Sequence, residues 1–175
     1  WFGVTYKEDK PMVQERINTP AAAQHVLGNV IDACSGLAGH ALDDMTRDAG
    51  WQFLMVGRHI ERMVNMALLL DNFLQLPPQR QTAALSWLLE AASSIVTYRV
   101  RYRRTPEWLP VLHLLVFDPS NPHGMAYQFR MLQQYLRDIA QQLGLLSMSI
   151  PSHLSSQLEA MTLADFAHGH PHAPQ

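Results

Sequence analysis

The chain has 175 residues, 47% of them hydrophobic and 16% charged, with a formal net charge of −2. That length suits one domain and the apolar fraction excludes a disordered chain, while the charge supplies no global basic field for nucleic acid or an anionic membrane. Lys7 and Lys10 are the only lysines; every other basic residue is arginine, the preferred cation where a planar, bidentate or partly buried contact is needed.

In chain order, residues 1–20 are polar and without a clear period, a linker or ragged segment. It begins at Trp1 rather than a methionine, as a piece of a longer protein would, and has no basic-then-apolar leader pattern. It ends in Asn18-Thr19-Pro20, a helix start with Thr19 as N-cap and Pro20 at the first helical position. From Val26 to Met45 apolar residues recur at three- and four-residue steps, which predicts an amphipathic helix. Gly28, Gly36 and Gly39 inside it each cost about 1 kcal/mol and mark a close crossing, a bend or a break. Cys34 is the single cysteine, so no intramolecular disulfide or cysteine-based zinc site can form, which fits a reducing, cytoplasmic setting.

A second helix is predicted over about 50–75, stopping before Pro77-Pro78, and a third over about 80–104, ended by Pro106. Residues 105–123 form a connection whose apolar run, Val111 to Phe117, reads as a short helix. Asp118-Pro-Ser-Asn-Pro122 repeats the start signal, with Asn121 as N-cap and Pro122 opening a helix that closes at Gly144. A last amphipathic stretch covers about 152–166, and the tail 168–175 has nothing to pack. No segment alternates with period two, and no apolar run reaches membrane-spanning length. The expected fold is therefore all-α, an antiparallel helical bundle of four to five helices over residues 21–167.

Polar residues interrupt two apolar stripes. On the second helix, positions 54, 57, 61, 64 and 68 share a face, and Glu61 is its one charged member, flanked by Arg58 and Arg62. On the third, the stripe 85, 88, 92, 95 continues to Arg99 and Tyr102. A buried carboxylate without a partner loses several kcal/mol, so Glu61 is expected to meet Arg99 across the helices or Arg58 along its own. Two readings compete: a polar pocket for a ligand or partner, and an ion pair that fixes helix register. Tyr98 to Arg104 holds four arginines and two tyrosines, but on a helix Arg99 and Arg103 share a side that Arg101 and Arg104 do not. That spread argues against a nucleic-acid stripe and leaves an acidic peptide or phosphate ligand open.

No phosphate-binding glycine loop, nucleophile elbow or zinc-binding histidine motif occurs, so no catalytic residue, metal or cofactor is assigned. His168, His170 and His172 alternate on the tail without a fixed carboxylate or cysteine beside them.

Ser35-Gly-Leu, Asp44-Met-Thr-Arg47, Gly50-Trp-Gln-Phe-Leu54 and Gly57-Arg-His-Ile-Glu-Arg62 together resemble the alpha-E family, bacterial helical proteins named for a Glu-Arg motif. The likeness continues through Ser94 to Arg103, Leu114 to Pro122 and Tyr127-Gln-Phe129, and covers roughly residues 30–145. It implies an all-helical fold and association, in cis or in trans, with ATP-grasp peptide-ligase-like proteins. The first Glu-Arg motif of full members has no counterpart, so the chain reads as the C-terminal part of the domain. The motif positions carried over are Gly57, Arg58, Glu61 and Arg62 on the second helix, and Tyr98, Arg99, Arg101 and Tyr102 on the third. The leading expectation is a non-catalytic accessory module of an ATP-dependent amide-ligase or peptide-tagging system, with this Glu-Arg set as its polar centre. The alternative is an enzyme acting on an amide or peptide, with Glu61 as general base and arginines holding an anionic substrate. The oligomeric state is left open.

Overall fold

The computed structural model describes residues 19–145, 156–157 and 160–166. Residues 1–18 of the expected linker, the tail 168–175, and residues 152–155 and 158–159 of the last expected helix lie outside them. All regular structure among the described residues is helical, with no strand. The chain divides into two compact units, Trp1–Arg47 and Asp48–Gln175.

In the first unit, α1 (Pro20–Asp43) starts as its sequence dictates: Thr19 is extended, its hydroxyl accepts from the Ala22 N–H at 3.2 Å, and Pro20 occupies the first turn. The helix runs unbroken through its three glycines, and nothing lies within 4 Å of a Cβ built on any of them. At its far end Arg47 donates to the Ala41 and Leu42 carbonyls, which no longer have helical partners.

The second unit contains α2 (Ala49–Leu74), α3 (Pro78–Ala91), α4 (Ile95–Tyr102), α5 (Trp108–Leu112), a π-helical turn (His113–Phe117) and α6 (Met125–Gln142). Asp48 caps α2 by accepting from Trp51 N–H at 3.0 Å. The most extensive packing is α2 along α6, antiparallel, with Trp51 and His59 both against Tyr135 and His59 against Gln128. Gln81 turns the α2–α3 corner by donating to the Leu74 and Leu76 carbonyls. The core gathers Phe73, Leu85, Leu88, Leu89, Tyr98, Val111, Leu114 and Leu115, with Phe73 stacked on Trp108 at 5.4 Å.

The expected third helix is two helices. α3 ends in a Schellman motif: Ser94 N–H donates to Leu89 O at 2.8 Å and Ser93 N–H to Glu90 O at 2.9 Å, with Ser93 at φ 51° where glycine is usual. The stripe drawn through 92, 95, 99 and 102 is thereby broken. The expected helix at Pro122 also starts later, at Met125. Asn121 is no N-cap but a fully buried residue of the preceding loop. At the other end α6 closes as its sequence says, with Gly144 at φ 64° and Leu145 N–H on Ala140 O at 2.9 Å.

A candidate ligand cleft

α2 is apolar on more than one side, and the structure buries the side opposite to the expected one. Gln52, Met55, His59, Met66 and Phe73 face inward, whereas Leu54, Gly57, Glu61, Val64 and Leu68 are exposed. Glu61 is therefore not a buried carboxylate and needs no guanidinium from α4. Arg99 is exposed as well, because the break at Ser93 rotates α4 so that Tyr98, fully buried, takes the inward position. The expected Glu61–Arg99 centre does not form.

The other residues singled out divide by role. Tyr98 donates to the Thr105 carbonyl at 3.2 Å and accepts from the Glu107 N–H at 3.1 Å, which ties down the turn after α4. Tyr102 lies over the Tyr98 ring at 4.7 Å and is hydrogen-bonded to His113; burial raises its hydroxyl pKa above the usual tyrosine value. Arg101 pairs with the buried Asp118, whose carboxylate also accepts from the Ser120 N–H and hydroxyl, each at 2.8 Å. Arg58 is half-buried on α2, one turn before Arg62.

Arg62 is the residue of the set that reaches a cavity. A cleft of about 380 Å³ is walled by Arg62, Asn65, Met66 and Leu69 of α2, by Ala91, Ala92 and Ser93 at the α3 terminus, and by His123. Among the described residues the Arg62 guanidinium makes no hydrogen bond or close ion pair. Burial, then Arg58, lower its pKa, and the adjacent Glu61 offsets part of that.

His123 reaches the cleft on a loop built by unusual local chemistry. The π-turn bonds Asp118 N–H to His113 O, five residues back. The next carbonyl, Leu114 O, would look to residue 119, which is proline and has no N–H. Asn121 Nδ2 takes that place at 3.0 Å and also donates to the buried Ser94 hydroxyl at 3.1 Å, while its Oδ1 accepts from His123 N–H at 3.2 Å. Gln128 completes the hold by donating to Pro122 O. Because that carbonyl can only accept, the Gln128 amide is fixed with Oε1 toward His59, so His59 carries its proton on Nδ1. Burial lowers the pKa of both histidines, and Arg62 lowers each further; for His59 the Gln128 bond opposes the shift and Arg58 adds to it. Both imidazoles are neutral at pH 7. The arrangement is an open slot with one cationic fork, polar groups at its lip and an aliphatic floor.

The family model described as "A predicted alpha-helical domain with a conserved ER motif" matches residues 7–173. This chain belongs to the Alpha-E family. As an Alpha-E protein it is similar to uncharacterised proteins of Mycobacterium bovis and of two Mycobacterium tuberculosis strains. Each is 29% identical over 138 residues, covering 78% of this chain and 15% of the relative. The chain thus spans less than a sixth of the length of those relatives. No solved structure matches it. In this Alpha-E chain the Glu61-Arg62 pair that carries the resemblance splits in two directions, Glu61 to the exposed side of α2 and Arg62 to the cleft. Sequence reasoning missed His59, His123 and Gln128, and gave Asn121 the part of an N-cap. The signal for His59 was present, since it stands three residues before Arg62 and so shares a helix face with it. Among the described residues no group of histidine, cysteine or carboxylate side chains has metal-site geometry, and no helix is long and apolar enough to cross a membrane.

Proposed function

We propose that this Alpha-E chain is a cytoplasmic, non-catalytic accessory module of an ATP-grasp amide-ligase or peptide-tagging system, and that it docks an anionic group of its partner or of the partner's substrate. The observation that carries this reading is Arg62, a half-buried guanidinium without a close anionic partner, on the wall of an open cleft. A desolvated arginine left without an anion is costly, and a bidentate anion would relieve that cost. The ATP-grasp partner comes from the family resemblance, and the single cysteine supports a reducing compartment. The reading of Glu61 as a general base gains no support from the cleft, which Glu61 does not line.

The test is capture of the purified ATP-grasp partner by the tagged chain. The wild type and Glu61→Gln should retain the partner, and Arg62→Gln should lose at least tenfold in capture with unchanged melting temperature. Equal capture by Arg62→Gln removes the cleft from docking, and loss with Glu61→Gln alone moves the contact to the exposed side of α2.

A further inference from the structure

The cleft's chemistry specifies the ligand more narrowly than an anion. Its one cation is Arg62, and the two charges nearest along α2, Arg58 and Glu61, act on it in opposite senses. His123 stands on the wall as a neutral ring, able to donate one hydrogen bond without adding charge. Asn65 and Ser93 add neutral polar groups, while Met66, Leu69, Ala91 and Ala92 make the rest of the lining aliphatic. A single guanidinium beside a neutral imidazole balances a monoanion. A phosphate dianion would leave a charge uncompensated in a half-buried site. The flat fork of arginine matches the two oxygens of a carboxylate. The aliphatic floor has no use for a bare inorganic ion, and the volume lies at the lower end of the roughly 300–1,000 Å³ of small-ligand sites.

We infer that the cleft binds a carboxylate carried on a short aliphatic segment, a peptide chain end such as a C-terminal leucine. The carboxylate lies on Arg62, one oxygen takes the His123 N–H, and the aliphatic side chain rests on Met66, Leu69 and Ala92. The inference rests on the docking reading above and names the chemical class of what that site takes. Asn121 and Gln128 serve as positioning residues, since they hold the loop that carries His123 and do not line the cleft.

The experiment uses the whole 175-residue chain with three probes: an N-acetylated dipeptide ending in leucine, its C-terminal amide, and inorganic phosphate. Binding is followed by calorimetry and by the imidazole resonances of His59 and His123. The acid should bind, the amide at least tenfold more weakly, and phosphate more weakly than the acid. Because the bound carboxylate offsets the Arg62 charge, the His123 pKa should rise on binding. Arg62→Gln should lose at least tenfold in affinity for the acid at unchanged melting temperature, with Arg62→Lys intermediate because one ammonium cannot span both oxygens. Equal binding of acid and amide, phosphate binding as tight as the acid, or no binding of the acid overturns the inference. The two readings fail separately. Partner capture lost in Arg62→Gln without peptide binding sinks the ligand class alone. Peptide binding with capture unaffected sinks the docking reading alone.

Discussion

Gly124 shows how tightly the cleft's loop is drawn. A Cβ there would stand 3.0 Å from the Leu114 carbonyl oxygen, 3.3 Å from that of Leu115 and 3.4 Å from that of Asn121, all of them backbone atoms that cannot swing aside. Gly124→Ala should therefore destabilise by about 1–3 kcal/mol, the usual range for overpacking, read by urea unfolding. Glu61 gives the opposite expectation. It is exposed on α2, so Glu61→Gln should change the unfolding free energy by less than about 0.5 kcal/mol in the same measurement. A loss of several kcal/mol would mean that Glu61 is buried in solution.

At the scale of elements, the sequence was most legible where backbone chemistry is explicit. Thr19-Pro20 opened α1, Pro77-Pro78 bounded α2 and Gly144 closed α6, each through a residue whose φ or missing N–H leaves little choice. Ser93 hid the break between α3 and α4, because a serine takes the left-handed position that a glycine would have announced. The same fact yields a prediction: Ser93→Gly should stabilise the chain by roughly 0.5–1 kcal/mol in thermal unfolding, since it removes the strain of a positive φ on a residue with a Cβ. Asn121 misled for a different reason. Next to proline it resembles an N-cap, yet its carboxamide is spent on the Leu114 carbonyl, a demand created by Pro119 that becomes visible only once the π-turn is known. On α2, Phe53, Leu54, Ile60, Val64 and Leu68 line one side while Met55, Met66, Leu69 and Phe73 line another, so periodicity established the helix but not which side faces inward. The candidate site inherited that ambiguity. Arg62 belongs to the cleft, whereas Glu61 and Arg99 were placed inward by a stripe that the tertiary packing does not use.

For the whole molecule, buried His59 and half-buried His123 each contribute to the response to pH. The folded-state pKa of His59 is lowered chiefly by burial, so below the unfolded value of about 6.5 the unfolded chain binds more protons than the native one. Stability should be at its plateau above that value and fall as the pH drops through and below it, and His123 acts with the same sign. A series of melting temperatures from pH 7.5 to 5 should show this decline. His59→Gln should flatten it while lowering the plateau by about 1 kcal/mol, as expected for one altered buried hydrogen bond. A slope unchanged in the double variant His59→Gln, His123→Gln would assign the acid sensitivity elsewhere.

The loop that carries His123 is fastened at two corners of different kind. Arg101 and Asp118 hold the first through opposite charges, at a guanidinium that solvent reaches. The second is held by uncharged amide and hydroxyl bonds of Ser94, Asn121 and Gln128. Dissolved salt screens the former and has little purchase on the latter. Rising ionic strength should therefore weaken the charged corner at Arg101 and Asp118 before the uncharged one at Asn121.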